Sequence, residues 1–155
     1  MDEKNRNQLI LGLGLSLLIG SLVYKFRIKM NGKLSKHFNI SEFESKDGAE
    51  TPADVLENLR KLAKNLEVIR AHFGNVPITI DSGYRSPAHN KAIKGKPKSL
   101  HLIGKAADFK IKGFNSQQIA QELEALIAAK QISQGGIGIY PNFVHYDIRG
   151  KKARW

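Results

Sequence analysis

His101, Asp108 and His145 constrain this chain most, because two imidazoles and a carboxylate from separate segments make a metal-binding set only if the fold brings those segments together. Such a set leaves a zinc ion one coordination position open, the arrangement that hydrolytic chemistry needs. Local patterning says how the segments would meet. Ala106-Ala107-Asp108-Phe109-Lys110-Ile111 alternates like a strand and gives Asp108 a fixed direction, while His101 approaches from the preceding turn and Gly104 lets that turn fold back. Phe143 to Arg149 is a second strand-like run, and its period of two puts His145, Asp147 and Arg149 on one face. Pairing of the two runs would set His145 beside Asp108. Spacing alone leaves open an ordinary surface or core role for His101.

Three ordered motifs carry a resemblance. Ser82-Gly83-Tyr84-Arg85-Ser86-Pro87-x-x-Asn90, Ser99-x-His101-x-x-Gly104-x-Ala106-x-Asp108 and Gly136-Ile137-Gly138-Ile139-Tyr140-Pro141-x-Phe143-Val144-His145 together resemble the zinc D-Ala-D-Ala peptidase family, in its branch of phage and bacterial cell-wall carboxypeptidases. The match runs from about Leu34 to Trp155. It implies a small α+β fold with a central antiparallel sheet flanked by helices, and zinc (Zn2+) held in a cleft by His101, Asp108 and His145. It also implies hydrolysis of a peptide bond in peptidoglycan stem peptides, by an enzyme of the D,D-carboxypeptidase or endopeptidase type. Such an enzyme would lyse or remodel cell wall, as an endolysin of a phage does. Arg85 falls on the family's arginine, which binds a substrate carboxylate or polarises the scissile carbonyl, and Tyr84 and Ser99 of the same motifs are assigned with it to substrate binding.

Arg85 makes sense in that role without the family, since a planar guanidinium clamps a carboxylate with two parallel hydrogen bonds and also suits a developing oxyanion. The structural alternative is an ion pair with Asp81 or a glutamate elsewhere. One departure from the family pattern matters: where well-studied members carry an Asp or Glu three residues before the last zinc histidine as general base, this chain has Asn142. An amide cannot take a proton from water. Asp147 is the candidate catalytic replacement because it shares a face with His145, although residues two apart on a strand sit roughly 6.5 Å apart. Its other role would be to orient His145 or Arg149. Asn142 also supports a second hypothesis, a catalytically silent, zinc-stabilised module that binds peptidoglycan.

Composition frames these motifs. The 155 residues allow one domain of about 120 residues plus an appendage, and the absence of cysteine excludes disulfides and thiolate ligands. The reading divides the chain into a polar segment at 1–8, a transmembrane anchor at 9–26, a linker at 27–33 and a zinc peptidase domain at 34–155. Leu9 to Tyr24 carries no charge and, at about 1.5 Å per residue, reaches roughly 24 Å, which snorkelling lysines would extend to bilayer thickness. The rival reading of a cleaved signal peptide lacks a clear small-x-small cleavage site. Gly12, Ser16 and Gly20 recur on one helix face, which permits pairing of anchors into a homodimer.

Lys25, Arg27 and Lys29 directly follow the apolar run, so the positive-inside tendency would leave the catalytic domain on the cytoplasmic side, away from peptidoglycan. A location in a phage virion membrane removes that conflict, and a single-pass cell-envelope enzyme that departs from the tendency is the other option. The net charge of +11 suits anionic wall polymers or lipid headgroups. Nucleic acid is not an expected partner, because the lysines are dispersed and there is no stacking-aromatic motif or zinc-finger spacing.

Between anchor and site, Leu34 to Phe43 offers Phe38, Ile40 and Phe43 to a core. Thr51-Pro52 predicts a cap for a helix to about Phe73, with Val55, Leu56, Leu59, Leu62, Leu66 and Ile69 as its apolar stripe. Ile78 to Ile80 reads as a strand, Pro87 opens a short helix, and Lys94-Gly95-Lys96-Pro97-Lys98 is an exposed loop. Asn115 or Ser116 starts a helix to about Lys130 with Ile119, Leu123, Leu126 and Ile127 inward. His37, His72 and His89 lie in no matching motif and are read as non-ligands.

Overall fold

The computed structural model describes residues 32–155, and residues 33–155 form one compact unit. Its elements are helix α1 (Ala53–His72), strand β1 (Ile78–Ser82), helix α2 (Pro87–Ala92), strand β2 (Ala106–Ile111), helix α3 (Ser116–Ala128) and strands β3 (Gly136–Ile139), β4 (Val144–Asp147) and β5 (Ala153–Arg154). Single 3-10 turns lie at Ile40–Glu42 and Leu100–Ile103. The strands form one sheet in the order β1-β2-β4-β3-β5. Its first four strands are antiparallel neighbours, as expected, whereas β5 pairs with β3 in parallel, so the sheet is mixed.

Alternation along the strands assigns the two faces. Phe109 and Ile111 of β2, Val144 and Tyr146 of β4 and Ile137 of β3 are almost fully buried on one face. Helix α1 packs against β2, and α3 against β3 and β4. Val55, Leu56, Leu59, Leu62, Ala63, Leu66 and Ile69 form the buried stripe of α1, and each large aliphatic side chain so buried contributes roughly 1.5–3 kcal/mol. Ile119, Ala120, Leu123, Leu126 and Ile127 do the same for α3. The opposite face of the sheet carries Asp108, His145 and Asp147.

Helix starts follow the chemistry of their first residues, with one exception. Asn115 caps α3 by accepting from Gln118 N at 2.9 Å, and Gln118 Oε1 accepts from Asn115 N at 2.9 Å. Ser86 caps α2 through His89 N, with Pro87 as the first helical residue. Thr51 does not cap α1: Pro52 takes the cap position, and the Thr51 hydroxyl is buried with no hydrogen-bond partner among the described residues. Phe38 and Phe43 anchor the segment that precedes α1, edge to face at 5.9 Å. Ile40 is only partly buried.

The fold class needs one correction. The transmembrane helix expected over residues 9–26, with its small-residue face for a homodimer, lies outside the described residues, and among the described residues no helix is long and apolar enough to cross a membrane. The longest described helix, α1, has the length but not the composition, because Glu57, Lys61 and Lys64 occupy its exposed side. What is described is an α+β domain in which no described helix is long and apolar enough to cross a membrane. The expected single-pass, membrane-anchored location is corrected with it.

Candidate metal centre

Sheet register builds the site. Asp108 of β2 stands directly opposite His145 of β4, so their side chains leave the same face side by side. On the other side Ser82 pairs with Asp108, after a bulge at Asp81 that shifts the register of β1. His101 arrives from the 3-10 turn before β2. That turn ends at Gly104, whose φ of +67° favours glycine and whose place a Cβ would contest with Val55 of α1 at 2.8 Å. The turn therefore folds back tightly, as its glycine predicts.

One ligand atom from each of His101, Asp108 and His145 lies within 4.8 Å of the other two, and all three residues are buried. His145 Nδ1 is 2.8 Å from Asp108 Oδ1, while His101 Nε2 is 3.3 Å from both. The outer nitrogen of each ring has its own acceptor. His101 Nδ1–H donates to the Gly83 carbonyl at 2.6 Å, and His145 Nε2–H donates to Asp147 Oδ2 at 3.1 Å. These bonds turn the lone pairs of His101 Nε2 and His145 Nδ1 toward Asp108 when both rings are neutral, the second arrangement that a metal-binding histidine requires. The donor set thus fits a zinc ion: two imidazoles, one carboxylate and fixed ring orientations.

Electrostatics couples the three side chains. Burial disfavours the charged form of Asp108, but the bonds and charges of His101 and His145 outweigh it and hold the carboxyl well below its ordinary range. Burial also lowers His101, against the pull of Asp108. For His145 burial acts the same way and loses, because Asp108 and Asp147 flank the ring and raise its proton affinity. Arg85 and Arg149 pair with the same two carboxylates, so the acids, the rings and the guanidiniums form one connected network.

Arg85 sits at the edge of the group, with Nη2 donating to Asp108 Oδ2 at 2.5 Å and Nε to Ser82 Oγ at 2.9 Å. Its ion-pair partner is therefore Asp108, not Asp81, which binds Lys110 instead. Asp147 is fully buried and saturated. Oδ1 accepts from Gly136 N, Arg149 N and Arg149 Nε, and Oδ2 from His145 Nε2 and Arg149 Nη2. Burial raises its pKa and those bonds more than reverse the effect. A carboxylate so occupied orients His145, and has no free lone pair with which to receive a proton from water.

Tyr84 is 5% exposed and belongs to the core, where burial raises its pKa. Ser99 is partly buried at the start of the 3-10 turn and makes no capping bond with its side chain. Asn142 is exposed in the turn between β3 and β4. His37 and His72 pair with Glu67 and Glu122, away from the donor group. Sequence reasoning missed the Gly83 carbonyl, the Gly136 N–H and Trp155, whose indole lies 5.1 Å from the His145 ring. A backbone group leaves no sequence signal. Trp155 had one: glycines inside a strand pattern, here Gly136 and Gly138, mark close approach of another group.

An α+β domain that gathers two histidines and an aspartate at the open face of its sheet presents a donor set suited to a metal-dependent hydrolase. The chain belongs to the peptidase M15 family, whose sequence model matches residues 36–147 and so spans all three motifs. It is 36% identical over 88 residues to a probable peptidoglycan L,D-endopeptidase, MepK, of Haemophilus influenzae. That alignment covers 52% of this chain and 44% of the relative, so the chain spans less than half of the relative's length. The resemblance carried by the three motifs is borne out, and the chain is placed among peptidases.

Proposed function

We propose that this chain is a zinc-dependent peptidase that cleaves a peptide bond in the stem peptides of peptidoglycan, with His101 Nε2, His145 Nδ1 and Asp108 as metal ligands. The observation that carries the reading is the convergence of those donors with the outer nitrogen of each ring already held by an acceptor. The relative's name, a peptidoglycan L,D-endopeptidase, supports the substrate class. Zinc bound there would lower the pKa of a coordinated water to about 7 and polarise the scissile carbonyl.

The chain's own residues supply orientation and charge. Gly83 and Asp147 fix the two imidazoles, and Arg85 fixes the second oxygen of Asp108. Arg85 also places a guanidinium where negative charge growing on a substrate oxygen is stabilised. Arg85 spends Nε on Ser82 and one Nη2 hydrogen on Asp108, which leaves its Nη1 hydrogens for a substrate oxygen. We favour cleavage inside a stem peptide or cross-link over removal of a terminal D-Ala because the relative is named an endopeptidase. Asp147 acts as a positioning residue.

Mass spectrometry of purified peptidoglycan fragments incubated with the full chain, with and without zinc and beside His145→Ala, tests this reading. A product that needs both zinc and His145 is expected, and its mass names the bond. The second reading, a zinc-stabilised module that binds without cutting, draws on the saturated Asp147 and exposed Asn142. Folded, zinc-loaded protein that retains fragments and releases no product would establish it instead.

A further inference from the structure

The open face of the sheet continues past His145. Ser82, Asp108, His145 and Gly138 are successive cross-strand partners, and Trp155 extends the row, because Trp155 N donates to Ile137 O and Ile139 N donates to Trp155 O. The indole lies over Gly138, where a Cβ would stand 2.7 Å from indole Cε2. Its ring is 5.1 Å from His145, and the Arg149 guanidinium is 5.4 Å from the indole centroid. Indole Nε1 donates to the Tyr140 hydroxyl at 2.9 Å, and Tyr140 itself stacks on Phe143 at 4.5 Å and 13°. Trp155 is nevertheless 50% exposed and Tyr140 37%.

An indole fixed by main-chain pairing, a hydrogen bond and a cation, yet half open to water beside a metal-ligand candidate, is a preformed surface. We propose that Trp155 is a substrate-positioning residue: its exposed surface receives the aliphatic part of the substrate residue next to the cleaved bond. The occupant follows from chemistry, since an indole is covered best by C–H groups, and stem peptides offer methyl and methylene groups beside every bond. Glycine at 138 is part of the same device, because any side chain there would displace the indole. The inference rests on the proposed substrate class and adds the residue that reads it.

Trp155 is the single tryptophan of the chain, so intrinsic fluorescence reports on it directly. The test titrates a purified stem-peptide fragment into full-length His145→Ala protein, which removes turnover, and follows tryptophan emission. In parallel, kcat and KM are measured for wild type, Trp155→Ala, Trp155→Phe and Tyr140→Phe, with zinc content as a control. A saturable blue shift is expected, with KM raised about tenfold in Trp155→Ala and partly restored in Trp155→Phe, while kcat and zinc content change little. Tyr140→Phe, which frees the indole N–H without removing the ring, should raise KM by a smaller factor. No emission change together with an unaltered KM overturns the inference, as does a loss of zinc or kcat without a change in KM, which would make Trp155 a structural cover for His145. Wild-type protein that binds fragments with the emission change but never cuts them would overturn the proposed activity and leave this inference standing.

Discussion

Asp147 shows how much one residue of this site depends on its surroundings. Its two oxygens accept five hydrogen bonds from the Gly136 and Arg149 main chain, the Arg149 guanidinium and His145. Asp147→Asn exchanges an acceptor for an N–H donor, so at least one of those donors loses its partner. Stability should fall by about 2–3 kcal/mol, less than the ~3–5 kcal/mol of a fully buried broken pair because Arg149 is partly exposed. Zinc affinity should fall about ten- to a hundredfold, since the acceptor that orients His145, a proposed ligand, is lost. Denaturant unfolding and competitive zinc titration measure the two effects separately. Arg85 gives the matching prediction for chemistry. Arg85→Lys keeps the charge but cannot bridge Ser82 and Asp108 with one planar group, so kcat/KM should drop about a hundredfold with zinc content unchanged. A variant of near-normal activity would show that the fork is dispensable.

At the scale of elements, the segment before α1 is held to the domain by side-chain clasps as well as by Phe38 and Phe43. Asp47 accepts from Ser86 Oγ and Ala49 N, and Glu67 of α1 accepts from Ser35 Oγ and His37 N. The Ser86 and Ser45 hydroxyls lower the Asp47 pKa to about 2, from an ordinary value near 3.8. A carboxyl whose folded pKa is depressed contributes stability that is fully present above its unfolded pKa and lost as pH falls through the folded one. Between pH 4 and pH 2 the wild-type melting temperature should therefore fall more steeply than that of Asp47→Asn, which has no such proton to take up. Parallel curves for the two proteins would remove Asp47 from the account.

Periodicity made α1, α3 and the strands around Asp108 and His145 legible, because one buried face imposes its spacing on the sequence. It did not reveal β5, whose two residues are too few to show a period and whose partner is chosen by tertiary packing. The Thr51 cap failed because a side chain can cap only when the following residue enters the helix, and Pro52 takes the cap position itself. His101, Asp108 and His145, the candidate donors, were legible from their types and spacing, and the structure brings them together. The main-chain groups that aim them, Gly83 O and Gly136 N, belong to residues with no side chain to signal a role.

For the molecule as a whole, the proposed zinc could build the domain or only complete it. Small metal domains that lack a core unfold without their ion. This domain has a core independent of the site, with Phe38, Phe43, Leu59, Leu62, Leu66, Phe109, Leu123 and Tyr146 all at or below 1% exposure. Chelated protein should therefore keep its helical and strand circular dichroism at 25 °C. Zinc should still stabilise it by mass action, by about 2.7 kcal/mol at a hundredfold excess of free ion over the dissociation constant. For a domain of this size that is an upward shift of about 10 °C in melting temperature. His145→Ala should abolish most of the shift, because it removes one of the three ligand candidates while leaving the aliphatic core untouched. A chelated chain that lost its secondary structure would make the metal a condition of folding, and a melting temperature indifferent to zinc would remove the ion from the site.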